Sequence, residues 1–96
     1  MLYRGLMRHE PTPVVALNLA VALAEAEGAP VGLAILNPLS ADLADYQPFH
    51  ATRAELLGRV GQTEAALAAY DQAIALAASS ADARFLGQRR ARLLNS

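Results

Sequence analysis

The chain contains no cysteine and no lysine, and it has no apolar run long enough to cross a membrane. Without cysteine, disulfide bonds and thiolate metal sites are excluded, which fits the reducing cytoplasm. The longest apolar run, from Val14 to Ala24, is interrupted by Asn18 and is shorter than the roughly 20 residues that a membrane-spanning helix needs. The first residues also lack the pattern of a signal peptide. We therefore expect a cytoplasmic protein without a membrane span.

Hydrophobic residues make up 54% of the 96 residues, and charged residues make up 18%. This balance predicts a single folded domain rather than a disordered segment. The net charge of −1 argues against a strongly basic nucleic-acid binder, although the charges are unevenly distributed. All nine acidic residues lie between Glu10 and Asp82, whereas residues 83–96 carry four arginines and no acid.

Strand-forming patterns are almost absent, while alanine and leucine recur at helical spacing along the chain. The spacing predicts an all-α fold of about six helices, at residues 2–9, 13–27, 30–37, 48–60, 64–78 and 80–94. Thr12, Thr63 and the pair Ser79–Ser80 are expected to cap three of them, since their hydroxyls can accept from free backbone N–H groups. Residues 38–47 form a connection with a helical turn near residues 41–44.

Two glycines end helices at an interval typical of helical repeats: Gly28 and Gly61 lie 33 residues apart. Within residues 47–80, small, large, turn and aromatic residues follow the order of a tetratricopeptide (TPR) repeat, at Ala54, Leu57, Gly61, Ala66, Tyr70 and Ala73. Residues 14–46 match less fully, because Asn37 occupies the aromatic position. The chain thus resembles a TPR array, whose unit is a pair of antiparallel helices of about 34 residues.

A narrower resemblance covers most of the chain. The strings PTPVVALNLAVALAEAEG, FHATRAELLGRVGQTEAALAAYDQAIALA and RFLGQRRARL are similar to the C-terminal TPR extension of bacterial ECF-type RNA polymerase sigma factors. The resemblance implies TPR-like antiparallel helical hairpins in a short right-handed stack. It also implies a non-catalytic protein–protein interaction module that regulates transcription initiation, with sigma-factor domains or RNA polymerase as partners.

The same resemblance divides the chain, taken as a single domain, into four parts. They are the second helix of a truncated repeat (1–12), two repeats (13–46 and 47–79) and a C-terminal capping helix (80–96). The first helix lacks its helical partner, which would leave its apolar side open to water. We therefore predict a homodimer that forms through residues 2–9.

The first helix of each TPR unit usually lines the groove that receives a partner peptide. Carried over to this chain, the groove positions are Asn18, Leu19, Ala22, Glu25, Thr52, Glu55 and Arg59. Their mixed charge favours an extended polypeptide over a nucleic-acid backbone. For Asn18 there is a second interpretation, an interhelix hydrogen bond inside the stack, and the sequence leaves both open.

Arg53 shares the apolar side of its predicted helix with Phe49 and Leu57. A partly buried guanidinium needs a carboxylate, because an unpaired buried charge is strongly destabilising. We expect a structural ion pair, for which the candidate acids are Asp42, Asp45 and Asp71. The alternative is a site at Arg53 that binds an external anion.

The last predicted helix carries its cations mostly on the side away from its apolar residues Phe85, Leu86 and Leu93. These cations are Arg84, Arg89, Arg90 and Arg92. The expected role is a solvated exterior that caps the array. The alternative is a basic patch that contacts DNA or an acidic surface of polymerase, which would make the chain a nucleic-acid-binding module.

Side chains suited to catalysis are few and scattered. His9 beside Glu10, and His50 upstream of Glu55, are the imidazole–carboxylate pairs, and no pattern brings three metal ligands together. The serines stand at helix ends, where capping accounts for them, and the glycines occur singly, so no phosphate-binding loop is present. We expect no enzymatic activity, no metal and no cofactor.

Overall fold

The computed structural model describes residues 12–95, and this part of the chain consists of helices joined by short turns, with no strand. Its five α-helices are α1 (Pro13–Glu27), α2 (Ala29–Leu36), α3 (Gln47–Arg59), α4 (Thr63–Ala75) and α5 (Ser80–Leu94). The all-α fold class is therefore confirmed. The predicted helix 2–9, and with it the predicted dimer contact, lies outside the described residues.

Two helices begin at hydroxyl caps that the sequence predicts. The hydroxyl of Thr12 accepts a hydrogen bond from the backbone N–H of Val15 at 3.2 Å, at the start of α1. The hydroxyl of Ser79 accepts from the N–H of Asp82 at 3.1 Å, at the start of α5. Each bond satisfies a backbone donor that the first helical turn leaves free, and each contributes about 1 kcal/mol.

Helix α4 departs from the predicted bounds at both ends. The predicted cap at Thr63 is wrong: Thr63 is the first helical residue, and Gln62 precedes it without a side-chain hydrogen bond. The helix also ends at Ala75, three residues earlier than expected. Because Ser79 must be extended, with a φ of −144°, in order to cap α5, the chain leaves the helix early and reverses over the residues between.

The connection between α2 and α3 is more regular than the sequence suggests. A short 3-10 helix, Asn37–Leu39, continues α2 through Pro38, which is tolerated in a first turn because its missing N–H has no partner there. The predicted helical turn follows, and the N–H of Leu43 donates to the carbonyl of Leu39 at 2.9 Å. Leu43 is 5% exposed, so it anchors the connection to the core.

Gly28 and Gly61 turn the chain where α1 and α3 end. Their φ angles of 110° and 84° lie in a region that residues with a Cβ rarely adopt. After α3, the N–H groups of Gly61 and Gln62 donate to the carbonyls of Gly58 and Leu57, which is the bonding pattern of a Schellman motif. Both predicted helix-ending glycines are confirmed, and each lies in the turn that joins two consecutive helices.

Each helix packs mainly against its neighbours in the sequence. Contacts are most extensive within the pairs α1–α2 and α3–α4, followed by α4–α5 and α2–α3, whereas α1 touches α3 only slightly. Within residues 12–95, α1 makes no extensive contact with α4 or α5. Packing between sequence neighbours is the arrangement of a linear repeat array. The right-handed sense of the stack stays a prediction.

Burial repeats at the same interval as the two glycines. Residues 33 positions apart are buried in both helix pairs, namely Ala24 with Leu57, Leu33 with Ala66, and Leu36 with Ala69. The interval fails at Asn37, which is exposed where the second pair has the buried Tyr70. The two helix pairs are therefore built on one pattern, with an aromatic anchor in the second pair alone.

Helices α1, α2 and α3 meet at Gly32, in the middle of α2. A Cβ built on Gly32 would lie 2.8 Å from the Cβ of Ala24, 2.9 Å from Cδ1 of Leu56 and 3.0 Å from the carbonyl oxygen of Ala20. The first two distances are shorter than carbon atoms tolerate without shifts in the surrounding structure, and the third is tight. Gly32 therefore allows α2 to lie closer to both neighbours than any larger residue would.

Replacing Gly61 by alanine isolates the conformational requirement of the turn. A Cβ at Gly61 would meet no atom within 4 Å, so a loss of stability could come only from the left-handed φ. We expect Gly61→Ala to lower the free energy of unfolding by about 1–2 kcal/mol. Urea denaturation followed by circular dichroism measures the change.

Gly87→Ala is the matched control, because Gly87 lies inside α5 and its added Cβ would also meet no atom within 4 Å. There the substitution should raise the free energy of unfolding by about 0.5–1 kcal/mol, since alanine is the better helix former. Equal effects at the two glycines would contradict the backbone conformation assigned to Gly61.

Gly32→Ala tests the close approach of the three helices. Alanine favours a helix by about 1 kcal/mol over glycine, yet here its Cβ would overlap atoms of α1 and α3. We expect a net loss of about 1–3 kcal/mol, because overpacking forces the helices apart. The same urea titration measures it, and a variant more stable than the parent chain would show that the helices separate freely.

Candidate functional site

Helices α1, α3 and α5 share one side of the array. Glu55 lies at its centre and lines three adjacent clefts, one between α1 and α3 and two between α3 and α5. The largest of these three clefts has a volume of about 360 Å³ and lies between α3 and α5, where Arg92 and Leu93 also line it. We call this surface the α1–α3–α5 face and define it by Glu25, Thr52, Glu55, Arg59, Tyr70 and Arg89.

A chain of ion pairs crosses this face from α1 to α5. Nη2 of Arg59 donates to Oε2 of Glu25 at 3.1 Å and to Oε2 of Glu55 at 2.5 Å. The other carboxylate oxygen of Glu55 lies 3.2 Å from Nη2 of Arg89. The four side chains are 35% to 66% exposed, so each pair contributes less than about 1 kcal/mol. The ion pairs therefore orient side chains more than they stabilise the fold.

The two arginines in this chain of ion pairs stay charged. Hydrogen bonds to Glu55 and then to Glu25 raise the pKa of Arg59 above its ordinary value. The pKa of Arg89 is raised chiefly by its interaction with the hydroxyl of Tyr70 and less by the charge of Glu55. Because Tyr70 is only 5% exposed, its ring belongs to the core while its hydroxyl reaches the face. The two guanidinium charges on the face are therefore fixed at physiological pH.

Four of the predicted groove residues, Glu25, Thr52, Glu55 and Arg59, lie together on this face. Asn18 is exposed and stands two helical turns before Glu25, on the same side of α1. Its side chain makes no hydrogen bond to another described residue. The prediction of an interhelix hydrogen bond at Asn18 is therefore wrong for this part of the chain. Whether these residues bind a partner stays a prediction.

Leu19 is the predicted groove residue that the structure separates from the rest. It is 51% exposed and lies about 120° around α1 from Glu25. Ala22 is exposed at the margin of the face, about 60° from Glu25. Val21, which the sequence analysis missed, lines the α1–α3 cleft instead. The spacing of four residues between Val21 and Glu25 is the signal that could have identified it.

Sequence reasoning also missed Tyr70 and Arg89 as members of the face. The repeat pattern assigns Tyr70 to the aromatic position of the TPR unit, and this assignment carries no information on where its hydroxyl lies. Arg89 is 35% exposed and points towards α3, although the pattern predicts it on a solvated side. Its placement depends on how α5 docks, and no local sequence pattern carries that information.

The four arginines of α5 do not form a patch of free cations. Arg89 is paired with Glu55, and Arg90 contacts both carboxylate oxygens of Asp71, at 2.9 and 3.3 Å. Among the described residues, Arg84 and Arg92 have no carboxylate within ion-pair distance. The predicted patch is thus reduced by half, because α5 turns two of its arginines towards acids of α3 and α4.

The prediction that Phe85 lies on the buried apolar side of α5 is wrong. This ring is 55% exposed, and the guanidinium of Arg89 lies over it at 5.7 Å from the centroid. Leu86 is buried and Leu93 is half-buried against the core. Since Leu86 and Leu93 are seven residues apart, they set the rotation of α5, and Phe85 is left towards solvent.

The expected ion pair of Arg53 does not form with any described residue. Asp71 is paired with Arg90, and Asp42 and Asp45 are exposed on the connection that precedes α3. The side chain of Arg53 is half-buried, and its Nε atom is buried without a hydrogen-bond partner. The ion-pair interpretation is therefore wrong, and the anion-site alternative stays open.

Other polar side chains have structural roles. Nε2 of His50 donates to the carbonyl of Ala44 at 2.7 Å, while His9 lies outside the described residues. The hydroxyl of Ser40 donates to the carbonyl of Asn37 at 2.8 Å. Residues 12–95 hold no three His, Asp or Glu side chains placed to bind a metal ion, and no helix among them is long and apolar enough to cross a bilayer. The lack of enzymatic activity stays a prediction.

The chain is similar to a segment of a longer protein. The chain is 41% identical over 86 residues, or 90% of its length, to an uncharacterized protein of Rhizobium meliloti (strain 1021). It spans only 20% of the length of that relative. No protein-family model matches the chain. No solved structure matches it with significance.

Glu55→Gln tests how much the chain of ion pairs contributes. The change removes the carboxylate shared by Arg59 and Arg89, and because all three side chains are more than a third exposed, we expect a loss of about 0.5 kcal/mol. The loss should shrink further at high salt, where exposed charges are screened. Urea titrations at low and high ionic strength measure both effects.

Asp45→Asn is the matched control, since Asp45 is exposed and has no ion-pair partner among the described residues. It removes the same charge and should leave the stability unchanged. A loss above about 2 kcal/mol for Glu55→Gln that persists at high salt would contradict the assignment, because only buried pairs behave in that way.

Proposed function

We propose that this chain is a non-catalytic protein–protein interaction module in the bacterial cytoplasm, and specifically the TPR-type C-terminal extension of an ECF-type sigma factor. Its partner is a polypeptide, the promoter-binding domains of the sigma factor or RNA polymerase. The α1–α3–α5 face is the observation that carries the proposal, because it brings side chains from three alternate helices into one continuous surface.

The chemistry of this face suits a polypeptide better than a phosphate backbone. Carboxylates of Glu25 and Glu55 alternate with guanidinium groups of Arg59 and Arg89, so neither sign dominates. A nucleic-acid backbone would be repelled by the two acids, whereas a peptide offers donors and acceptors of both kinds. The clefts have volumes of about 90 to 360 Å³, which suits extended chain segments and single side chains.

The arrangement of the helices supports the TPR part of the proposal. The chain has two helix pairs, and a positive-φ glycine joins the helices of each pair; the two glycines are 33 residues apart. Packing is largely restricted to helices that are neighbours in the sequence. Both are features of a helical repeat array. The sigma-factor part depends on the sequence resemblance. In the Rhizobium meliloti relative, a similar segment occupies one fifth of a longer protein, as a C-terminal extension would.

The rival function, nucleic-acid binding through α5, has less support. It needs a group of available cations, and the carboxylates of Glu55 and Asp71 already engage two of the four arginines. Arg84 and Arg92 are left to contact phosphates, and two contacts give weak, non-specific binding that is lost as salt rises. Duplex DNA therefore belongs in the experiment as the competing ligand.

The decisive experiment measures binding of the 96-residue chain to sigma-type domains encoded upstream in the same reading frame, and to a duplex DNA, at about 50 and 200 mM salt. We expect saturable binding to the sigma-type domains that weakens modestly with salt. Tighter binding to DNA with a steep salt dependence would overturn the proposal, as would the absence of any sigma-type sequence upstream.

Thr52→Arg locates the binding surface. Thr52 is half-buried on the face and lines clefts with both α1 and α5, so an arginine there would obstruct both clefts. We expect the affinity for the partner to fall at least about tenfold, as for loss of a well-packed interface residue. Ala75→Arg adds the same charge on the exposed side of α4 and should leave binding unchanged; equal effects of the two would place the interface elsewhere.

A further inference from the structure

Arg53 lies on the side of α3 that faces away from Glu55. Two residues correspond to about 200° around a helix, so Arg53 belongs to the opposite surface of the array from the α1–α3–α5 face. It stands between two openings, one towards α2 and one towards α4, and lines both of them. The openings have volumes of about 420 and 330 Å³.

The guanidinium of Arg53 is an uncompensated charge within the described part of the chain. Its Nε is buried without a hydrogen-bond partner, and no described carboxylate lies within ion-pair distance. Arginine remains charged in a protein, so it cannot relieve its burial by losing a proton. A buried donor without a partner lowers the stability of the fold, and the rest of this partly exposed side chain can bind an external acceptor.

The surroundings of Arg53 decide which acceptor fits. Neither opening is lined by an aspartate or a glutamate, and His50 is the single other titratable side chain in the linings. The opening towards α2 has apolar walls that include Leu33, Leu57 and Val60. The opening towards α4 adds the polar groups of Ser40 and Gln72. The site thus has one cation, several neutral donors and an adjacent apolar wall. A ligand with a single negative charge next to an apolar group would fit it.

We propose that Arg53 binds a carboxylate of an acidic polypeptide segment, with an adjacent apolar side chain of that segment in the opening towards α2. The carboxylate accepts from the guanidinium in the two-pronged geometry that arginine offers. A phosphate group fits less well, because it carries up to two charges at neutral pH and the site supplies one cation. The partner is thus a protein segment with an acidic residue next to an apolar one.

The probe for this site is the dipeptide acetyl-Glu-Leu-amide, titrated into the 96-residue chain and followed by ¹H–¹⁵N NMR. The Nε–H of Arg53 is the reporter, since it belongs to the guanidinium that would bind the probe and has no hydrogen-bond partner in the fold. We expect a saturable shift of this signal, and an affinity at least about tenfold weaker for acetyl-Gln-Leu-amide, because a hydrogen bond to a charged acceptor is lost. Inorganic phosphate and free acetate are titrated in parallel.

The variant Arg53→Met removes the cation and keeps an unbranched apolar side chain. Its melting temperature should be unchanged or higher than that of the parent chain, since an unpaired, partly buried charge is removed. Binding of the dipeptide should fall at least about tenfold. Arg84→Met, which removes an exposed arginine of α5 without a carboxylate partner among the described residues, is the control and should bind the dipeptide normally.

Four results would overturn the proposal. They are no saturable shift of the Arg53 signal, tighter binding of phosphate or free acetate than of the dipeptide, equal binding by Arg53→Met and the parent chain, and a melting temperature of Arg53→Met well below that of the parent chain. The last would mean that the guanidinium is compensated within the fold. None of these outcomes bears on the α1–α3–α5 face, because the reporter and both substituted residues lie outside that face.

Discussion

The close seating of Gly32 against α1 and α3 is the constraint on which the rest of this structure depends. Helix α1 touches α3 only slightly, so the first helix pair is joined to the second mainly through α2. The position of α2 is set where the backbone of Gly32 meets Ala24 and Leu56. A shift there would move α1 relative to α3 and change the 3.1 Å contact between Glu25 and Arg59. A small residue in the core thus determines the geometry of a charged surface.

Helix ends were the feature most accessible from the sequence, because their causes are local. Thr12 and Ser79 act as caps, and Gly28 and Gly61 take the positive φ that ends a helix without a Cβ clash. Each of these features involves residues within a few positions of one another. The end of α4 at Ala75 was less accessible, because it depends on how the next helix must begin.

The orientation of side chains across helices could not be derived in the same way. Phe85 and Leu86 are adjacent and both apolar, yet one is 55% exposed and the other 4%. Which of the two is buried depends on the docking of α5 onto α4, and that docking depends on residues distant in the sequence. The candidate surface shows the same limit: the repeat pattern predicted the residues of α3 on the face, whereas Arg89 came from the rotation of α5.

The arginines show how one residue type takes different roles in one small fold. Arg59 and Arg89 share Glu55, so a partner that binds the α1–α3–α5 face with its own charges exchanges one set of ion pairs for another. Each existing pair contributes less than about 1 kcal/mol, so the exchange changes the affinity little and mainly selects a partner with charges in the right order. Arg53 has no pair to exchange. An anion that binds Arg53 gives this guanidinium an acceptor without displacing another group. The two surfaces of α3 therefore differ. Ion pairs on the α1–α3–α5 face can select a partner, whereas the surface around Arg53 can contribute affinity.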